Sequence, residues 1–367
     1  MLNFSIGFII SFCITMLVVR YAHLHSHLSG DADLSGAQKF HTKPVPRIGG
    51  SGIAVALVLN GIALWMASAY QFQEYAMLIG ASTPAFLGGF VEDLTKRVSA
   101  RDRLVATIVA ALLAVWLLNA RITLIDIPGF GLLSVPYYLS IFLTALAVAG
   151  LANAINIIDG FNGLAAIVAT MMFLSLALVA FHVGDVFVLS CALVMAGAIL
   201  GFFLWNFPGG HIFLGDGGAY LIGFMLGELA VLLTMRHTDV SAWYPVLMFI
   251  YPIFETLFSI YRKQFLRGVS PGIPDGIHLH MLIYKRLMRW VVGSQEERHR
   301  LRRNSFTSPY LWLLSLLAVL PATLFWNRNG LLIAFVVVFV STYVWLYWSI
   351  VRFRVPRWMI VKKKHHD

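Results

Sequence analysis

Four polar blocks interrupt an otherwise apolar chain, and each carries groups able to handle phosphate or a cation. The first, Gly88-Gly89-Phe90-Val91-Glu92-Asp93-Leu94-Thr95-Lys96, sets two carboxylates side by side. Adjacent carboxylates repel unless something cationic holds them, such as a metal or Lys96, Arg97, Arg101 and Arg103. A solvated helix end with local ion pairs has the same composition. The second block runs Asn153-Ala154-Ile155-Asn156-Ile157-Ile158-Asp159-Gly160-Phe161-Asn162-Gly163. Spacings of three put Asn153, Asn156 and Asp159 within about 120° of one helical face. Gly160 and Gly163 then break the helix and let backbone approach a ligand.

The third block, Asn206-Phe207-Pro208-Gly209-Gly210-His211-Ile212-Phe213-Leu214-Gly215-Asp216-Gly217-Gly218, places Asp216 at a helix start with glycines around it. A carboxylate there either caps the exposed N–H groups or holds a cation. The fourth, Pro274-Asp275-Gly276-Ile277-His278-Leu279-His280-Met281, has two histidines near Arg262, Lys263 and Arg267, a set suited to phosphate. Zinc needs further Cys or His at ligand spacing, which the sequence lacks. Asp31-Ala32-Asp33 has the D-x-D form of soluble glycosyltransferases without a nucleotide-binding α/β domain around it, and no P-loop occurs. Cys13 and Cys191 both fall in apolar runs, which argues against a disulfide framework.

Helices across a membrane must position these blocks. Of 367 residues, 59% are hydrophobic and 12% charged, with a mean hydropathy of +0.79. The apolar runs match a bilayer core, which takes roughly 20 helical residues. The expected fold class is all-α, a polytopic integral membrane protein forming one membrane-embedded domain over 1–367. Eleven spans are predicted: 2–22, 48–70, 74–91, 104–120, 137–157, 162–182, 186–205, 217–235, 243–265, 309–326 and 330–351. The first has no basic residue before it and no small-residue cleavage site after it, so it reads as a retained helix. Polar loops over about 23–47, 92–103, 157–163, 206–217 and 266–305, and a basic tail over 352–367, lie between or beyond the spans.

Charge sets the orientation. Of the 27 Lys and Arg residues, 24 fall in 20–47, 92–103, 262–304 and the tail; the other side keeps Arg121, Arg236 and Arg328. The positive-inside rule places the basic side in the cytoplasm and the N-terminus outside. The net charge of +10 is thereby accounted for by topology and attraction to anionic membrane lipid, without nucleic acid. The chemistry-bearing groups stand at span ends on that cytoplasmic side. Polar groups at membrane depth are expensive, and their clustering on one face points to function. Glu228 and Glu255, inside spans eight and nine, are either site residues or structural acids; Glu228 reads as structural.

In this order the four blocks, with Phe40-His41-Thr42-Lys43-Pro44-Val45-Pro46-Arg47-Ile48-Gly49-Gly50 before them, resemble the polyprenyl-phosphate N-acetylhexosamine-1-phosphate transferases, glycosyltransferase family 4. That family includes the bacterial GlcNAc-1-phosphate and phospho-MurNAc-pentapeptide transferases. The resemblance implies a Mg²⁺ enzyme, with Mn²⁺ an alternative, of the cell inner membrane. Such an enzyme joins a UDP-sugar to polyprenyl (undecaprenyl) phosphate at the cytoplasmic face and releases UMP. It implies catalytic roles for Glu92, Asp93, Asp159 and Asp216, with Asp216 on the metal and Asp93 orienting the lipid phosphate or taking its residual proton. Lys43, Asn156, Gly160, Asn162 and Phe213 match the nucleotide pocket, Phe213 as the uracil-stacking ring. Lys96, Arg103, Asn153, Asn206, His278 and His280 complete the expected substrate contacts, and a homodimer is an allowed assembly.

Three positions depart from the family pattern: Glu92 stands where Asp is frequent, Asn162 replaces a frequent Asp, and Met281 replaces a frequent third histidine. The His-Leu-His-Met run points to the branch that initiates O-antigen and related envelope polysaccharides, with the MurNAc-pentapeptide enzyme as the alternative. A transporter or flippase would instead put polar residues at mid-span and on both sides. The orientation is directly testable: single cysteines replacing Lys96 and His278 are expected to be labelled by an impermeant maleimide only after the inner leaflet is opened. Labelling from outside intact cells would overturn it.

Overall fold

In a bilayer, apolar runs become helices because no water is present to satisfy an unpaired backbone N–H or C=O. The computed structural model describes residues 1–24, 45–68, 70–266, 268, 276–287 and 297–352. The helices are α1 (Leu2–Arg20), α2 (Gly50–Met66), α3 (Phe72–Thr95), α4 (Ala100–Leu118), α5 (Tyr137–Ile158), α6 (Leu164–Val183), α7 (Val186–Asn206), α8 (Gly215–Arg236), α9 (Trp243–Met248), α10 (Ile250–Tyr261), α11 (Leu279–Leu282), α12 (Glu297–Leu324) and α13 (Asn329–Val351). Short π-helical turns follow α10 at Arg262–Leu266 and α11 at Ile283–Leu287.

Seven of these helices are long and apolar enough to cross a membrane by themselves: α1, α5, α6, α7, α8, the Leu301–Leu324 part of α12, and α13. The chain is a polytopic α-helical membrane protein. Helices also coincide with the other predicted spans, but α2 is only 17 residues long, and α3 carries Glu74, Glu92 and Asp93.

Three local expectations change. Span nine is not one helix: it breaks at Phe249, between α9 and α10. Pro252 is the cause, since it has no N–H to donate and its ring crowds the carbonyl four residues back, at Met248. Secondly, α12 begins at Glu297, well inside the predicted loop 266–305, and tolerates Pro309 and Pro321 within it. Thirdly, Leu124–Ile127 and Gly131–Ser134 form an antiparallel hairpin turned by Pro128-Gly129, a small exception to an all-α reading. The Pro-Gly pair was legible as a break; four-residue strands are too short to show their alternation.

The organising element is α8. Every residue from Gly215 to Thr234 is buried, and α2 through α7 all pack around it. Between its charged ends, Asp216 and Arg236, a helix so enclosed reads as apolar on every side, apart from Glu228, which is fully buried. On the far side of α7, Gly197 and Gly201 let α1 approach so closely that a Cβ at either would strike the main-chain oxygen of Phe4 or Phe8. Small residues are the usual means of helix packing in lipid, where apolar side chains gain nothing by leaving the solvent.

Enclosure creates a problem at the N-terminus of α8, whose first N–H groups have no intrahelical partner. Asp93, from the end of α3, solves it. Its Oδ1 accepts the Asp216 N–H at 2.9 Å and its Oδ2 the Gly217 N–H at 2.9 Å, with the carboxylate 1% exposed. Hydrogen bonds to a charged group are worth about 1.5–3 kcal/mol each. The two backbones meet because Gly89 on α3 has no side chain; a Cβ there would run into the Asp216 carbonyl. Asp93→Asn keeps the size but offers one acceptor oxygen to two N–H groups. It is expected to lower the thermal unfolding midpoint in detergent at pH 8, and an unchanged midpoint would show that the clamp is dispensable.

Candidate active site

The four blocks converge on one cleft of ≈ 440 Å³ where the ends of α3, α5 and α7 meet the start of α8. Its floor is the Leu214-Gly215-Asp216 turn. Gly215 sits at φ +78°, and a Cβ there would collide with the Arg47 carbonyl and the Asp93 carboxylate. Only glycine fits that position without strain. Just before it, the chain zips against residues 46–50: Phe213 donates to the Pro46 carbonyl at 2.8 Å, while Gly49 and Gly50 donate to the carbonyls of Phe213 and Leu214 at 2.9 and 2.8 Å.

Asp216 does not cap its helix, since Asp93 already does so; its carboxylate projects into the cleft. There it pairs with Arg103, lies 3.5 Å from Arg47 Nη2 and accepts from Asn156 Nδ2 at 2.9 Å. Asp159 ends α5 as its C-terminal cap residue and lines the same cleft. Burial pushes the Asp159 carboxyl up to about 7, with Arg47 opposing. Asp93, past the predicted span 74–91, is also pushed up to about 7 by burial, against the Gly217 N–H, Arg47 and Lys96.

Of the expected site residues, Glu92, Arg103, Asn156, Asp159, Gly160, Asn162, Asn206, Phe213, Asp216, His278 and His280 all line the cleft. Lys43 lies outside the described residues. Asp93 stands behind the cleft wall, clamping α8, and its two oxygens are committed there. Lys96 is exposed at the left-handed end of α3 (φ +56°) and donates to the Asp93 carbonyl at 3.1 Å. Asn153, one turn up α5, accepts from the Tyr220 hydroxyl at 3.4 Å. Neither Lys96 nor Asn153 lines the cleft.

Two expected contacts turn out to tie loops together. Asn206 Oδ1 accepts the Gly163 N–H at 2.5 Å, and its Nδ2 donates to the Ile212 carbonyl at 2.7 Å, joining the second and third blocks. Asn162, 3% exposed, gives its backbone N–H to Asn304 Oδ1 at 2.8 Å and its amide to the Pro208 carbonyl at 3.3 Å. The partners on α12 went unread in the sequence. Asn304, Ser305, Ser308 and Trp312 recur near helical spacing, and the hydroxyls and indole donate to the carbonyls of Pro208, Asn162 and Gly163 at 2.7, 2.6 and 3.1 Å. Their signal was the polar stripe Asn304-Ser305 and Ser308 ahead of an apolar run, hidden inside what read as a loop. Arg47 was missed too, though it stands four residues after Lys43 in the quoted Phe40–Gly50 segment.

Among the described residues, no three His, Cys, Asp or Glu side chains converge to hold a metal ion. Magnesium asks for less: one or two carboxylates, with waters and substrate phosphates filling the remaining octahedral positions. Asp216, Asp159 and Glu92 on one cleft, all hard oxygen donors, fit that requirement. A second, larger cleft of ≈ 880 Å³, lined by Asp126, Asp239 and Arg328 among others, contains none of the expected residues.

Comparison with known proteins agrees with this geometry. The model of glycosyl transferase family 4 matches residues 75–234, which span the first three blocks. The chain is 28% identical over 281 residues to the probable undecaprenyl-phosphate N-acetylglucosaminyl 1-phosphate transferase of Bacillus subtilis, covering 76% of this chain and 77% of that protein. It is 28% identical over 282 residues to the undecaprenyl-phosphate alpha-N-acetylglucosaminyl 1-phosphate transferase of Thermotoga maritima, covering 77% and 81%. To the phospho-N-acetylmuramoyl-pentapeptide-transferase of Latilactobacillus sakei it is 28% identical over 240 residues, covering 62% and 73%. A cleft built from these motifs, carried on membrane helices and matched by relatives of both branches, places residues 75–234 of this polytopic membrane chain with glycosyl transferase family 4.

Proposed function

We propose that the protein transfers a sugar 1-phosphate, from a UDP-N-acetylhexosamine such as UDP-GlcNAc, to polyprenyl phosphate at the cytoplasmic face of the inner membrane. The single observation that carries this reading is the cleft itself. Asp216, Arg47, Arg103, His278 and His280 meet at helix ends, where a soluble anionic donor can encounter a membrane-held acceptor. The product would initiate O-antigen or another envelope polysaccharide. Names of relatives on both branches support the chemistry equally; Met281 in place of a third histidine favours the GlcNAc-type branch.

The lipid phosphate oxygen attacks the phosphorus that bears the sugar. A new P–O bond forms as the bond from that phosphorus to the bridging oxygen breaks, and the bridging oxygen leaves with its electron pair on UMP. A phosphate monoester has its second pKa near 6, so the nucleophile is largely dianionic at neutral pH and scarcely needs a base. That is consistent with Asp93 serving the α8 clamp instead of proton transfer. The barrier is repulsion between two anions, and fixed charge aimed at the reacting phosphates lowers it. Arg47 and Arg103 supply that charge, His278 and His280 bring polar ring nitrogens to the same cleft, and the half-buried Phe213 offers a ring for the uracil. Mg²⁺, held by Asp216 with Asp159 and Asn156 alongside, would neutralise charge growing on the departing UMP.

Asp216→Asn separates these roles, because α8 keeps its clamp from Asp93 while the cleft loses its central carboxylate. The variant is expected to fold and insert normally yet lose most Mg²⁺-dependent UMP release when incubated with polyprenyl phosphate and UDP-GlcNAc. Normal turnover at low Mg²⁺ would remove Asp216 from the chemistry.

A further inference from the structure

Glu255 of α10 is fully buried, yet both its carboxylate oxygens are hydrogen-bonded. Its Oε1 accepts from His278 Nδ1 at 2.9 Å and from the Leu279 N–H at 3.0 Å. Its Oε2 accepts from the Tyr343 hydroxyl of α13 at 2.8 Å. His278 stacks on His280 with ring centroids 5.1 Å apart and planes 8° from parallel, so orienting the first ring orients the second. Both rings line the cleft. From the other flank, Arg262 donates to the Ile277 carbonyl at 2.7 Å and stacks over the Tyr347 ring, fixing the residue just before His278.

We infer that Glu255 is a positioning residue for the transfer reaction. It holds His278 as the Nδ1–H tautomer and supports positive charge on the ring when anionic phosphate enters the cleft. The inference rests on the function proposed above and extends it to a group that touches no substrate. Anchoring a loop does not require a carboxylate, because an amide accepts the same N–H at far lower desolvation cost. A buried charge persists where it is hydrogen-bonded on every side and used. An acid behind a histidine fixes its tautomer and raises its basicity, as carboxylates behind metal-bound histidines do. Tyr343 fits this division of labour: it occupies the second oxygen and leaves the first to face His278.

The test is a double-mutant cycle in purified protein, joined to a measurement independent of turnover. Glu255→Met removes both acceptors at similar volume and is expected to lower kcat by about 10–100-fold with little change in KM for UDP-GlcNAc. Glu255→Gln, which keeps one acceptor, should recover part of that loss. In a His278→Gln background, Glu255→Met should cost little more, since residues acting through one another are not additive. An equal loss in both backgrounds would make Glu255 merely structural and overturn the inference. The second readout is the ¹⁵N spectrum of histidine-labelled protein, with His278 assigned by its absence from His278→Gln. The wild type should show protonated Nδ1 and bare Nε2 at pH 8, and Glu255→Met a redistributed population; should Glu255→Met fail to fold, Glu255→Gln takes its place with a smaller shift. Identical spectra overturn the inference even if no UDP-sugar proves to be a substrate, a result that would count separately against the proposed reaction.

Discussion

The site depends on one buried interaction, the Asp93 carboxylate bridging the Asp216 and Gly217 N–H groups in the first turn of α8. Without it, the most enclosed helix of the protein would begin with donors that neither lipid nor water could satisfy. With it, α3 and α8 are locked at the point where Gly89 and Gly217 let their backbones touch. Asp216 rides on that same turn, so the carboxylate that faces the cleft is placed by the carboxylate that does not. The acidic pair of the first block is therefore divided: Glu92 lines the cleft and Asp93 braces it from behind.

Around this clamp the loops are held by amides and hydroxyls, and the cleft is faced by charge. Asn206 joins the second block to the third, and Asn304, Ser305 and Ser308 bind both to α12. Neutral groups suit that work, since their burial costs less than that of ions. The cavity itself is faced by Asp216 among Arg47, Arg103 and Asn156, with the His278–His280 stack also lining it. Phosphate transfer needs such fixed, preorganised charge more than it needs a base.

Much of this was legible in the sequence, and the omissions have physical causes. Long apolar runs locate the helices because the bilayer leaves the backbone no alternative, and the Asn-x-x-Asp-Gly and Leu-Gly-Asp blocks mark the cleft because their residue types are costly at membrane depth. Asp93 and Asn206 were recognised as important, but a sequence does not say that the one also holds a helix end and the other also ties two loops together. Asn304 and Ser308 were unreadable while the start of α12 passed for loop. Glu255 could not be assigned at all, because its meaning lies in His278, 23 residues later and brought close only by the fold.

The central claim is that the bond broken lies between the two phosphorus centres of the donor, on the side that leaves a mononucleotide. UDP-GlcNAc carrying ³²P at the sugar-bearing phosphate, incubated with the purified protein, Mg²⁺ and polyprenyl phosphate, reads this directly. The account requires the label to pass into the lipid fraction while unlabelled UMP is released in equal amount. Label recovered in the aqueous phase as UDP, with sugar alone on the lipid, would contradict it.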